Sequence, residues 1–417
     1  MAQWMHRLQN LAARYPEQFW LMFCGMLLSA AGASMIWPFL MLYVSEKLQV
    51  PLTTAAALAT LNATVGVLSS FIGGPITDKF GRKGVMVFSL IANGSAYAVM
   101  SRASSLPAFA ILMSITGAVN PLYRVGGDAM MADLVPPEKR PDAYALLRLS
   151  NNVGVAIGPA VGGALATASY SIAFYCAAAG MSTYGLLLAL FARETLPAEA
   201  ARSRVSALGG YDQVARDRRF MPFIGAMTLT QMCATLMWIL MAVYAKKNYQ
   251  VRENLYGLIP TTNALMVVFF QVAVTQVTKR HPPLKMLTVG ALFYALGVGS
   301  VSLARGFGGF WLSMVIMTMG ELIVMPTSST YAAGLAPADM RGRYMSLYGL
   351  TWPVAAGIAP VMGGFLSDTF GPPTTWYGGF VAGMFSTLWF VALYRRARVG
   401  REASSMPFFA EKDERVS

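Results

Sequence analysis

Apolar residues run through this chain in long unbroken blocks, not in the alternating or one-in-three patterns of half-buried strands and amphipathic helices. Blocks long enough for a helix to cross a hydrocarbon slab fall at about 17–44, 53–76, 83–102, 107–132, 142–167, 170–192, 221–244, 254–277, 283–304, 308–334, 343–368 and 374–394. The pattern predicts an all-α membrane protein with twelve transmembrane helices and no room for a soluble domain. The longest hydrophilic piece joins Arg193 to Arg219. The first block lacks a small-residue cleavage pattern, so no removable signal peptide is expected.

Composition agrees with this picture. Hydrophobic residues make up 56% of the 417 and charged ones 12%, about half the charged share of a soluble domain. A net charge of +13 raises the question of a nucleic-acid partner, and the location of the charges answers it. With the N-terminus placed in the cytoplasm, the inner loops and tails hold 24 of the 32 Lys and Arg and the outer loops six; Arg124 and Arg148 fall within spans. That bias puts both termini in the cytoplasm and reports contact with anionic membrane lipids, with no nucleic acid implied. Cys24, Cys176 and Cys233 lie within spans and read as small packing residues, so neither a disulfide framework nor a metal site is expected.

A weak internal repeat organises the helices. "VPPEKRPDAYALLRLSNNVGVAIGPAVGGAL" (135–165) aligns without a gap on "APADMRGRYMSLYGLTWPVAAGIAPVMGGFL" (336–366) at a shift of 201, pairing Pro159 with Pro360 and Gly162 and Gly163 with Gly363 and Gly364. Each copy sets an Arg just before a span, so both run the same way through the membrane and an even number of spans separates them. The expected organisation is a six-helix bundle over 1–192, a cytoplasmic linker over 193–220, a second six-helix bundle over 221–395 and a cytoplasmic tail over 396–417.

Two parallel six-helix halves are the architecture of the major facilitator superfamily, and the motifs resemble it too. "GPITDKFGRK" (74–83) matches that superfamily's loop motif between the second and third helices at every defined position. "GVAIGPAVGG" (154–163) is similar to the fifth-helix motif associated with its antiporters, and "RETLP" (193–197) resembles the sequence that often closes the sixth helix. "GEL" and a following Pro in the tenth span, with "APADMRGRYMSLYGL" after it, look like the bacterial multidrug branch. One departure stands out, because Met113 occupies the position where the export families usually carry an Arg.

The resemblance implies a conformational latch built from Gly74, Asp78, Gly81, Arg82 and Lys83. Asp78 would cap the eleventh helix when the cytoplasmic side is shut, a favourable place for a carboxylate beside a helix dipole. Arg82 would pair with a carboxylate at the end of the fourth helix, for which Asp133 is the candidate. The shift of 201 lands Asp78 on Lys279, so the latch is expected to be one-sided. Gly154, Gly158, Gly162 and Gly163 give a smooth face for close helix approach and Pro159 adds a kink, which fits a hinge at the seam between halves or plain helix packing.

There is no Walker-type phosphate loop, so ATP is not the direct energy source and no cofactor is implied. His6 and His281 both lie outside the spans. Carboxylates remain. Glu321 lies about 13 residues from the outer end of its span, roughly 20 Å deep and near the midplane. Burial penalises the charged form of a carboxyl group, which suits one that must take up and release a proton; a neutral structural glutamate is the alternative. Asp128 is the second proton-coupling candidate, four residues after Arg124 on the same helix face. Asp142 and Arg148 could join its network. Trp37, Phe39, Asn120, Arg124, Asn151, Gln231, Trp238, Asn263, Phe270 and Trp352 are candidates for a substrate pocket between the halves, and 28 methionines suit a pocket that repacks around unlike ligands.

The sequence thus reads as a monomeric, proton-coupled exporter of lipophilic or cationic drug-like small molecules, working by alternating access in the cytoplasmic membrane. A dedicated exporter of one sugar, amino acid or lipid-like metabolite is the alternative, followed by a non-transporting ligand sensor. An intramembrane enzyme is disfavoured, because no cluster of Asp, His or Ser shares a depth.

Overall fold

The computed structural model describes residues 14–196, 211–337 and 340–405. Residues 197–210 of the expected linker, 406–417 of the expected tail and His6 lie outside the described residues. Twelve long helices follow one another: α1 (Glu17–Leu48), α2 (Leu52–Phe80), α3 (Arg82–Met100), α4 (Leu106–Leu134), α5 (Arg140–Ala168), α6 (Tyr170–Phe191), α7 (Phe220–Tyr249), α8 (Glu253–Thr278), α9 (Pro283–Leu303), α10 (Phe307–Leu335), α11 (Arg341–Phe370) and α12 (Thr374–Ser405). No strand occurs among the described residues.

Eleven of the twelve are long and apolar enough to cross a membrane, α12 as far as Arg398. α5 has the length without the apolarity. Arg140, Asp142, Arg148, Asn151 and Asn152 crowd its first half. α5 packs chiefly against α1 and α8, while Asp142, Arg148 and Asn151 remain exposed and Asn151 lines a cavity. Elsewhere the outer faces are strongly apolar, with Leu190 74% and Phe269 71% exposed. Water would not tolerate so much bare hydrocarbon, whereas a bilayer has no objection to it.

Helices end where the backbone chemistry requires. Gln49 and Gln250, 201 residues apart, both adopt the left-handed conformation that closes α1 and α7, at φ of 50° and 54°. Within α1 the ladder tightens to a 3-10 turn at Trp37–Phe39, where Pro38 removes a backbone donor. The matching place in α7 carries Ile239 and runs on unbroken.

Packing repeats as the sequence does. In the first half α1 packs on α5 and α6, α2 on α4, and α3 on α4 and α6; in the second α7 packs on α11 and α12, α8 on α10, and α9 on α10 and α12. Three further pairs, α5 with α8, α2 with α11 and the second part of α1 with α7, join the halves.

Candidate functional site

A cavity of about 350 Å³ opens among α1 to α7, lined by residues from Met26 to Met181 and by Trp238, which alone comes from the second half. Of the sequence candidates, Trp37, Asn120, Asn151 and Trp238 line it. Asn62, Asn93, Tyr97, Thr116 and Tyr123 also line it and were missed, being isolated polar residues in otherwise apolar spans. The lining contains no Asp, Glu, Lys, Arg or His.

The other pocket candidates do not line this cavity. Phe39 is fully buried against Tyr256, ring centroids 5.7 Å apart. Phe270, 53% exposed, and Trp352, 39% exposed, lie on helix faces outside the cavity. Arg124 is exposed on α4, where Asn120, one turn away, takes the cavity-facing place. Gln231 and Asn263 are buried in the second half, and the Gln231 Oε1 has no hydrogen-bond partner.

Glu321 does not line the cavity either. Asn263 Nδ2 on α8 donates to its Oε2 at 2.7 Å and to Thr318 Oγ1 at 2.9 Å. The first half repeats this bond with different chemistry. Asn62, 201 residues before Asn263, donates to Thr116 Oγ1 at 2.9 Å and to the Met113 carbonyl at 2.8 Å. The residue 201 before Glu321 is Asn120, and the residue 201 before Trp238 is Trp37. One position therefore carries a cavity-facing amide in one half and a held carboxylate in the other. Arg148 is exposed on α5 and forms no ion pair within 4.0 Å among the described residues. Arg124 and Asp128 share a helix face, yet no ion pair within 4.0 Å joins them among the described residues.

The halves meet tightly at one end only. Along α5 and α8, a Cβ on Gly163 would collide with the Glu253 carbonyl and one on Gly257 with the Pro159 carbonyl. Thr261 Oγ1 donates to the Ala156 carbonyl at 2.7 Å. Along α2 and α11, Thr53 N donates to Asp368 at 2.8 Å, and a Cβ on Gly364 would lie 2.8 Å from Thr53 Cα. Glu253 closes the same end by accepting from Tyr170 Oη at 3.1 Å and pairing with Lys246 at 3.0 Å. At the opposite, terminal end, where α1 begins and α12 finishes, Gly74 and Gly349 have nothing within 4 Å of an added Cβ. The remaining motif glycines pack inside the first half. A Cβ on Gly154 would lie 2.7 Å from the Leu27 carbonyl, one on Gly158 2.6 Å from the Ala31 carbonyl, and one on Gly162 would meet the Met35 carbonyl, all on α1. Gly363, the repeat of Gly162, packs likewise on Leu236 and Leu240 of α7.

The sequence profile described as Major Facilitator Superfamily matches residues 22–233 and 223–409. The chain belongs to the Major Facilitator Superfamily. Among relatives, a Na(+), Li(+), K(+)/H(+) antiporter of Planococcus maritimus is 26% identical over 82% of this chain and 86% of its own. The multidrug resistance protein MdtH of Escherichia coli is 24% identical over 71% of this chain and 73% of its own. Among solved structures, a peptide transporter of the POT type superposes with a TM-score of 0.79 over 94% of this chain and 98% of its own, at 16% identity. That likeness speaks to the fold alone.

The superfamily's loop motif here forms a compact network at the terminal end. Arg82 pairs with Asp78 at 3.0 Å and with Asp133 at 3.2 Å, and Thr195 Oγ1 donates to Asp133 at 3.0 Å. Asp78 on α2 is thus engaged with Arg82 at the start of α3 in this conformation, not with α11. Glu194, from the "RETLP" segment, accepts from Arg82 N at 2.9 Å and Lys83 N at 3.1 Å, which caps α3. Gly81, at φ 86°, leaves the space the Glu194 carboxylate fills. Partial burial pushes the Glu194 carboxyl up, but backbone donors from Leu196, Arg82, Thr195 and Lys83 together outweigh it and hold the group below its ordinary value. Asp217 does the same for α7: burial opposes its charge, while Tyr344 Oη at 2.7 Å and the Phe220 and Arg219 amides hold its carboxyl below the usual range. Glu194 escaped the sequence reading because it caps a helix 112 residues earlier in the chain, and the long-range partner of Asp217 is Tyr344.

Proposed function

We propose that this protein is a proton-coupled antiporter that exports small amphipathic molecules by alternating access between two six-helix bundles, 1–192 and 221–395. Protons are exchanged at Glu321. The observation that carries this reading is a carboxylate deep in α10, held at 2.7 Å by Asn263. A proton on that group changes its charge and its bond to Asn263 and so the bias between conformations. Antiporter and multidrug relatives support the same class.

The positive-inside bias puts the terminal end in the cytoplasm, so the described conformation is open inward and sealed outward. Asp128, on the inward part of α4, is the second proton group, and the Asp78, Arg82 and Asp133 cluster is the inner latch at rest. The lipophilic part of the expected substrate range suits the indoles of Trp37 and Trp238, whereas the cationic part finds no counter-charge in the cavity lining. Coupling is accordingly indirect, because the cavity and Glu321 occupy different halves. We further propose that the protein works as a monomer.

The test is substrate flux in proteoliposomes under an imposed pH gradient, comparing wild type with Glu321→Gln. The wild type should exchange protons for substrate, and the variant should bind substrate while losing the response to the gradient. A variant that still couples normally would remove Glu321 from the mechanism and leave Asp128 to be tried.

A further inference from the structure

Three carboxamides in the cavity have unused hydrogen-bonding capacity. Asn93, Asn120 and Asn151 line it, and among the described residues none makes a side-chain hydrogen bond to protein. Asn93 is only 5% exposed, so this capacity is directed into the cavity and not at bulk solvent. Asn62, by contrast, is fully engaged with Met113 and Thr116. The Tyr97 hydroxyl is likewise without a protein partner. Asn93 and Tyr97 are buried while Asn120 and Asn151 are exposed where the cavity opens, so one cavity gathers polar groups free to bond a ligand or waters.

Their chemistry constrains the ligand. A carboxamide both donates and accepts, so it pairs equally well with a hydroxyl and with a carbonyl. Trp37 and Trp238, repeat counterparts from opposite halves, offer two indole faces against which a ring can lie. A fixed charge would lose its water without gaining a counter-ion, since the lining holds no ionisable Asp, Glu, Lys, Arg or His. The cavity's 350 Å³ is at the small end of ligand pockets. We infer that it takes an uncharged ring compound bearing several hydroxyl or carbonyl groups, of nucleoside or aryl-glycoside size, held by Asn93, Asn120 and Asn151 against Trp37 and Trp238. This rests on the transport reading and narrows its substrate.

The test is calorimetric titration of the full chain in detergent, without any gradient, using uridine and 4-nitrophenyl β-D-glucopyranoside as neutral probes and tetraphenylphosphonium as a permanent cation. At least one neutral probe should bind, and Asn120→Leu and Asn151→Leu should each weaken it by about tenfold, the loss of one well-made hydrogen bond. Both side chains face open space, so the variants should unfold at the wild-type temperature, which is measured alongside. Tetraphenylphosphonium should neither bind tightly nor compete. The inference is overturned if both neutral probes bind more weakly than about 1 mM, or if they bind and the two variants bind them unchanged, or if the phosphonium displaces them. Proton exchange is read separately. Neutral binding without exchange would sink only the transport reading, and gradient-driven phosphonium flux without neutral binding would sink only this one.

Discussion

Thr53 and Asp368 lie 315 residues apart, yet the backbone amide and hydroxyl of the first both donate to one oxygen of the second, at 2.8 and 2.6 Å. Leu52 N donates to the other oxygen at 3.4 Å. The carboxylate at the end of α11 thus caps the N-terminus of α2 across the seam. The interaction the loop-motif resemblance implies for Asp78 and α11 at one end has its reciprocal at the other, with the roles of the two helices exchanged. The Asp368 contact is not the repeat counterpart of Asp78, which falls on Lys279 at the shift of 201.

Asp368→Ala should therefore loosen the sealed end. Loss of a carboxylate cap costs about 0.5–2 kcal/mol, enough to shift the conformational ratio severalfold. Spin labels at Ser104 and Pro372, in a background lacking Cys24, Cys176 and Cys233, should report a larger population of long distances. An unchanged distribution would show that the α5–α8 seam alone holds this end shut.

Two glycines should act in opposite directions. A side chain at Gly257 collides with the Pro159 carbonyl, while one at Gly74 meets nothing within 4 Å in this conformation. Gly257→Leu should thus disfavour the sealed state and increase cysteine labelling at the Ser104 end. Gly74→Leu should leave this state intact and slow turnover by obstructing closure at the other end. Equal effects of the two on labelling would contradict the seam geometry.

Acid should release the cap on α3. The Glu194 carboxyl titrates below its ordinary value of 4.5, so its stabilisation is complete above that value and is lost as pH falls through the folded-state titration. Glu194→Gln should be less stable than wild type at pH 7 by about 1 kcal/mol, the usual worth of a cap. The difference should shrink as pH falls below 4.5. Thermal unfolding of both proteins from pH 7 downwards checks this, and a constant gap at every pH would mean that the cap's charge is immaterial.

Much of the architecture is legible in the chain. Apolar block length set the helices, because a bilayer demands about 20 apolar residues and self-satisfied backbones, and the observed helices extend the predicted blocks mainly into their polar ends. The block at 142–167 is the exception, since α5 has the length without the apolarity. The 201-residue repeat, legible as sequence, reappears in the paired Gln49 and Gln250 caps and in the Gly162 and Gly363 contacts.

The sequence by itself determined that this protein is a helical membrane protein, where its helices lie, and that Glu321 is a deep carboxylate, because each of these follows from local composition and the length of a helix. Only the tertiary structure decided which side chains share a space. Asn93 and Asn120 face a cavity, Phe39 and Phe270 do not, Asn263 holds Glu321, and Asp368 caps a helix of the other half. Such facts depend on helix rotation and on approaches between residues hundreds of positions apart, which no periodicity along the chain encodes.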